Sequence, residues 1–206
     1  MSCEDFFFKS ICRPTCKPSC KPNCNCSCCC CCCHGSEVPP EPPVECECAC
    51  QSMGELIVNG GMEQFTLNVP TGWTAAPDQN DVSPVTQQGR VHSGNSAVNM
   101  TNGVNLSQTV PAEAGCFYQL SFFAHGNGAQ VGLIATVTFV TPSGSVNGLT
   151  ITVQKMDLGD ANRQFAYFRG ITTKAPAETT SAIINFFVDA TGGQSLDLDD
   201  VSFSVS

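Results

Sequence analysis

Residues 55–206 alternate short apolar runs with Gly, Asn, Pro and Ser, and none of the runs keeps the three- to four-residue apolar spacing of a helix. The alternation predicts strands over 56–58, 97–100, 117–124, 131–140, 149–153, 164–168, 181–188 and 195–205. Short strands at this density, divided by turn residues, predict an all-β fold, a jelly-roll β-sandwich. In the third run Tyr118, Leu120 and Phe122 share one phase while Gln119, Ser121 and Phe123 share the other. The last run is irregular: Leu196 and Leu198 lie in one phase, Val201, Phe203 and Val205 in the other. The phase slips at Asp199–Asp200, which predicts a β-bulge that re-aims a carboxylate.

The pattern before residue 54 is of another kind. Fifteen of the 16 cysteines lie between Cys3 and Cys50, and Cys116 is the remaining one. Cys12, Cys16, Cys20 and Cys24 recur every four residues, each of the first three followed by Arg or Lys and then Pro. Proline at that period removes amide donors and fixes φ, so an extended rod is expected rather than a helix or paired strand. Cys26 and the unbroken run Cys28, Cys29, Cys30, Cys31, Cys32 and Cys33 complete a non-globular arm over 1–34. Residues 35–53 are a Pro-rich linker ending in Cys46, Cys48 and Cys50, whose strict alternation puts three thiols on one face of an extended chain. The sandwich domain is expected over 54–206.

The arm has few apolar residues beyond Phe6, Phe7, Phe8 and Ile11, too few to fold around a core of its own. Neighbouring cysteines in a run do not pair easily, because a disulfide needs converging Cβ vectors and Cα atoms about 4.4–6.8 Å apart. The thiols therefore look outward, and the whole set from Cys12 to Cys50, together with Cys116 at the start of a strand, is a set of candidates for disulfides between subunits. Extended, residues 3–50 span on the order of 150 Å, enough to reach several neighbours. Zinc is the alternative occupant, since thiolates at Cys-x-Cys and Cys-Cys spacing bind soft metals, although paired Cys-x-x-Cys and histidine spacing is lacking outside the run.

Charge narrows the partners. The formal charge is −9, and Lys9, Arg13, Lys17 and Lys21 against Glu4 and Asp5 leave residues 1–34 at +2 and the rest at −11. A domain this acidic lacks the basic face that a nucleic acid requires. No apolar stretch approaches the roughly 18 residues of a membrane span, and acids stand where a secretory signal needs bases. The expectation is cytoplasmic synthesis followed by oxidation elsewhere, as on the surface of a bacterial spore, whether coat, exosporium or appendage.

Several blocks carry a family resemblance: ELIVNGGME at 55–63 leading to TGWT at 71–74, VHSGNSA at 91–97, LSQTVP at 106–111, YQLSFFA at 118–124 and LDLDDVS at 196–202. In order and content they resemble the carbohydrate-binding modules of families 4, 9 and 22. The resemblance implies a jelly roll and a structural calcium between the first and last strands, with Glu63 and Asp200 as side-chain ligands and main-chain oxygens near Gly61 and Ser93. Hard oxygen donors suit calcium. Nothing in the sequence requires any other cofactor.

Glycan binding through stacked rings has few visible candidates in this domain: Trp73, Tyr118 and Tyr167. Trp73 belongs to the block whose role in the family is mainly structural, Tyr118 and Tyr167 are expected to face inward, and the Phe residues read as core. His34, His92 and His125 have no local nucleophile or acid pairing, so no enzyme is expected. In organisation the chain resembles jelly-roll subunits of spore appendage fibres with N-terminal cysteine connectors. The expected function is a self-assembling structural subunit of a spore-surface layer or appendage fibre, partnered by itself and other spore-surface proteins. A carbohydrate-binding module on a Cys-rich tail and a metallothionein-like arm on a sandwich are the alternatives.

Overall fold

The computed structural model describes Cys50 and residues 54–158 and 164–206. The described elements are β1 (Phe65–Thr66), β2 (Val69–Pro70), β3 (Thr74–Ala76), a 3₁₀ turn at Gln79–Asp81, β4 (Val82–Val85), β5 (Ala97–Thr101), β6 (Asn105–Pro111), β7 (Tyr118–Asn127), β8 (Val131–Thr141), β9 (Gly144–Val153), β10 (Ala166–Ile171), β11 (Ser181–Ala190) and β12 (Ser195–Val205). Strands β1 and β2 form a small ribbon. The others build two antiparallel five-stranded sheets, ordered β10-β7-β12-β5-β4 and β3-β6-β11-β8-β9. This is the jelly-roll sandwich that the alternation predicts. Among the described residues no helix is long and apolar enough to cross a membrane.

The two inner faces meet in one aromatic core. Tyr118, Phe122, Phe139, Phe186 and Phe203 are fully buried, with Tyr118 stacked on Phe203 at 5.0 Å and Phe122 edge-on to Phe186 at 5.1 Å. The Tyr118 hydroxyl accepts from the Glu113 main-chain N–H at 2.6 Å, which gives the polar tip of a buried ring its partner.

Two expectations about elements need correction. Residues 56–58 are not a strand: Glu55 makes an isolated bridge to Ser204, Leu56 N donates to Phe203 O at 2.9 Å, and side chains meet the main-chain groups of Ile57 and Val58. The Gln108 amide donates to Val58 O at 2.9 Å and accepts from Val58 N at 2.8 Å, while Glu55 Oε1 accepts from Ile57 N and Phe203 N. The same glutamine hides β6 in the sequence, because it sits at an inward position between Leu106 and Val110 and breaks their apolar alternation.

The bulge is where the phase slip puts it. The pairing of β12 with β7 shifts between Asp199 and Ser202, and Asp200 adopts φ 47°. Val201 N donates to Gly60 O at 2.9 Å, and a Cβ on Gly60 would collide with Val201 O, so only glycine lets the first segment lie this close to the last strand.

Candidate functional site

The outer face of strands β10, β7, β12 and β5 of the first sheet gathers the unusual side chains. Even-numbered residues of β7 enter the core, so Phe123, His125 and Asn127 stand on the outside. Register sets Tyr167 opposite Phe123, Asp197 opposite His125, and Asn99 opposite Asp197. The segment 86–96 between β4 and β5 then lays Arg90, His92 and Ser93 over the carboxylates of β12.

Rings make the apolar part. His92 stacks on Phe123 with centroids 3.6 Å apart and planes 17° apart, Phe123 contacts Tyr167 at 5.0 Å, and Phe165 meets His92 edge-on at 5.5 Å. Tyr167 is 51% exposed. The expectation that it faces inward is therefore corrected. The strand runs over 166–171, and its inward residues are Ala166, Phe168 and Gly170, so Tyr167 shares the outward phase with Arg169 and Ile171. A charged residue two positions away in the same phase was the available sequence signal.

A polar network lies beside the rings. Arg90 donates from Nε and Nη2 to the two oxygens of the fully buried Asp197 at 2.8 and 2.7 Å, and Asn99 Nδ2 donates to Asp197 Oδ1 at 2.8 Å. The hydrogen bond to Asp197 raises the guanidinium further, against the opposing effect of burial. His125 is buried with Nδ1 3.7 Å from Asp197 Oδ2, and neither of its ring nitrogens has a hydrogen-bond partner among the described residues. Asp199 accepts from His92 N at 2.9 Å and Ser93 N at 3.2 Å. Burial pushes its carboxyl up to about 6, even though three main-chain N–H groups, those of Ser93, His92 and Asp200, favour the charged form.

Next to this face the structure brings Glu63 and Asp200 together around Gly61, where a Cβ would stand 3.6 Å from Asp200 Oδ1 and 3.9 Å from Glu63 Cγ. Glu63 Oε1 accepts from Asn95 N at 2.8 Å, and Gly94, at φ 66°, is the residue whose missing Cβ leaves that oxygen its room. Asp200 accepts from Ser93 Oγ at 2.9 Å and lies 2.6 Å from His92 Nδ1. These are hard oxygen donors of the kind calcium takes, so the donor type fits. Among the described residues no three His, Cys, Asp or Glu side chains converge on one point, so an ion here would draw on two carboxylates, the Ser93 hydroxyl and main-chain oxygens.

The cysteine expectations divide. Cys12, Cys16, Cys20, Cys24, Cys26, Cys28 to Cys33, Cys46 and Cys48 lie outside the described residues. Cys50 and Cys116, expected to bond other subunits, bond each other within the chain, with Cα atoms 5.6 Å apart. Cys116 is 2% exposed, and its carbonyl accepts from Ala175 N at 2.8 Å, so the strand start is covered and closed to a neighbour's arm.

The fold is a jelly-roll sandwich similar to that of solved carbohydrate-binding modules. TmCBM61, solved in complex with β-1,4-galactotriose, is similar at a TM-score of 0.56 and 19% identity, over 74% of this chain and 99% of that one. The CBM22-1 xylan-binding domain from Paenibacillus barcinonensis Xyn10C follows at 0.53 and 15%, over 76% and 97%, and a family 16 carbohydrate-binding module at 0.52 and 17%, over 72% and 98%. At these identities the likeness establishes the fold. No protein-family model matches the chain. No curated protein matches it either.

Proposed function

We propose that the sandwich binds a neutral glycan on the outer face of β10, β7 and β12. The observation that carries this reading is the Tyr167–Phe123–His92–Phe165 ring cluster, with Tyr167 exposed and both Phe rings half-buried, beside the Arg90–Asp197–Asn99 network. Sugar rings stack their C–H faces on aromatic rings while fixed polar groups read hydroxyls, and both kinds of group adjoin here. Arg90 and Arg169 share the face with Asp197, Asp199 and Asp200, and the acidic excess disfavours uronic acids and other anionic sugars. TmCBM61 in its complex with β-1,4-galactotriose and the xylan-binding CBM22-1 domain make β-1,4-galactan and xylan the first probes. Affinity electrophoresis through gels holding neutral polysaccharides should retard the protein, and Tyr167→Ala should weaken binding at least about tenfold, about 1.4 kcal/mol. The reading is of a non-catalytic binding domain, and a calcium held by Glu63 and Asp200 belongs to it as a structural ion.

A second reading, a disulfide-linked subunit of a spore-surface layer or appendage, is favoured by one observation. The cysteine at the base of the arm is oxidised, which suits disulfide chemistry over zinc for the thiols before it. The two readings are compatible, with the arm as the anchor and the sandwich as the glycan contact. Mass spectrometry of native material separates the arm's chemistries: disulfide-linked peptides from 1–48 of different copies support the anchor, and zinc on free thiols contradicts it.

A further inference from the structure

The second sheet has an outer face of an opposite character to the first. Strands β3, β6, β11, β8 and β9 contain a single charged residue, Asp189, which lies at the rim and is paired with Lys155 at 2.8 Å. Inside that rim the outward positions are Thr, Ser, Asn, Ala, Ile, Val, Phe and a terminal Pro, and register aligns them in rows. Ile134 lies beside Phe187, which lies beside Asn105, and in the next row Thr136 lies beside Asn185. Ile183 follows on the central strand, outward and half-buried like Phe187. The polar side chains find partners within the face, as where Asn185 Nδ2 donates to Asn105 Oδ1 at 3.1 Å.

The rest of the domain is charged. From residue 50 to 206 the chain holds twelve acids against five bases, and Glu63, Arg90, Arg169, Asp197, Asp199 and Asp200 all sit on or beside the other sheet. Two copies with this charge repel each other on most approaches. Among the described residues this sheet, whose one charge lies at its rim, is a broad surface on which they can meet without opposing like charges or stripping water from ions. Five strands about 4.8 Å apart and four rows about 7 Å apart give a face of roughly 20 by 25 Å, so a pair would bury on the order of 1,000 Å², the lower bound for a specific interface.

We infer that this face is a self-association surface, on which a second copy of the chain packs sheet to sheet about a two-fold axis. β-Branched and aromatic side chains at Ile134, Thr136, Ile183 and Phe187 interdigitate across the axis at ordinary sheet-packing distance. The glycan face then points outward from both copies, so the dimer presents two binding faces. This association is non-covalent and independent of the cysteine arm.

Sedimentation equilibrium of the full chain tests this, in a mild reductant that opens links between arms and leaves the buried Cys50–Cys116 bond intact, as checked by mass spectrometry. The wild type is expected to sediment as a dimer at sub-millimolar concentration. Ile183→Glu and Thr136→Lys should each halve the mass while leaving the far-ultraviolet circular dichroism unchanged, and Ile171→Glu, on the other sheet, should leave the dimer intact. A wild type that stays monomeric, or a dimer that survives both substitutions, overturns the inference. So does a monomer whose retention on an insoluble polysaccharide is lost in Ile183→Glu, which would assign the face to a glycan. Loss of glycan affinity in Tyr167→Ala with an unchanged mass bears on the binding face alone.

Discussion

Asp199 shows how single residues hold the proposed glycan face in shape. Its carboxylate accepts from His92 N and Ser93 N and so fixes the main chain that lays the His92 ring on Phe123. Burial raises its pKa to about 6 in the folded chain, against about 4 when unfolded. Between those values the folded chain binds a proton that the unfolded chain does not. This group's contribution to stability is therefore complete below about pH 4 and lost as pH rises through about 6. Urea midpoints measured from pH 4 to 7 in calcium-free buffer should fall with rising pH more in the wild type than in Asp199→Asn, which does not titrate. The phase slip that exposes this residue's special position is legible in the sequence. Its partners are not, because His92 and Ser93 lie more than a hundred positions away and only the folded segment 86–96 brings them over β12. Tyr167 was misread for a related reason: the true boundaries of β10 set its face.

At the scale of elements, side chains replace missing ladders. The first segment, 55–58, has one main-chain bond to β12, from Leu56 N to Phe203 O, and is otherwise held to β12 and β6 by Glu55 and Gln108. Gln108→Ala leaves Val58 N and O without these partners and should cost about 1–3 kcal/mol in urea denaturation. Long apolar runs such as β7, β8, β11 and β12 were legible because their inward residues are uniformly apolar. β6 was not, because its central inward residue is polar, and β1 to β4 are too short to show a period. The junction of the first segment with the bulge is also where the proposed calcium acts. If Glu63 and Asp200 hold it, a chelator should lower the unfolding temperature of the wild type by several degrees and leave Glu63→Gln unmoved. Identical scans with and without chelator would remove the ion from the account.

At the scale of the whole molecule, the division at residue 50 has a covalent expression. Cys50 is the last cysteine of the dense segment, and its bond to Cys116 spans 66 positions and pins the start of the described domain to the start of β7. By the chain-entropy relation a loop of that length stabilises by about 4 kcal/mol, so Cys50→Ser should lower the urea midpoint by a corresponding amount under oxidising conditions. An unchanged midpoint would mean that the two thiols do not pair in solution. The abundance of cysteine made the two chemical regimes plain in the sequence, but the specific pair could not be chosen from so many neighbours. The sheets differ as sharply as the regimes do, one with rings and acids outside, the other with a single charge, at its rim. Glycan recognition by the ring-bearing sheet is the central claim, and affinity electrophoresis of the full chain against a panel of neutral polysaccharides tests it most directly. Retardation by at least one of them, weakened about tenfold or more in Tyr167→Ala, is the predicted result; no retardation by any, or retardation that Tyr167→Ala leaves unchanged, would contradict it.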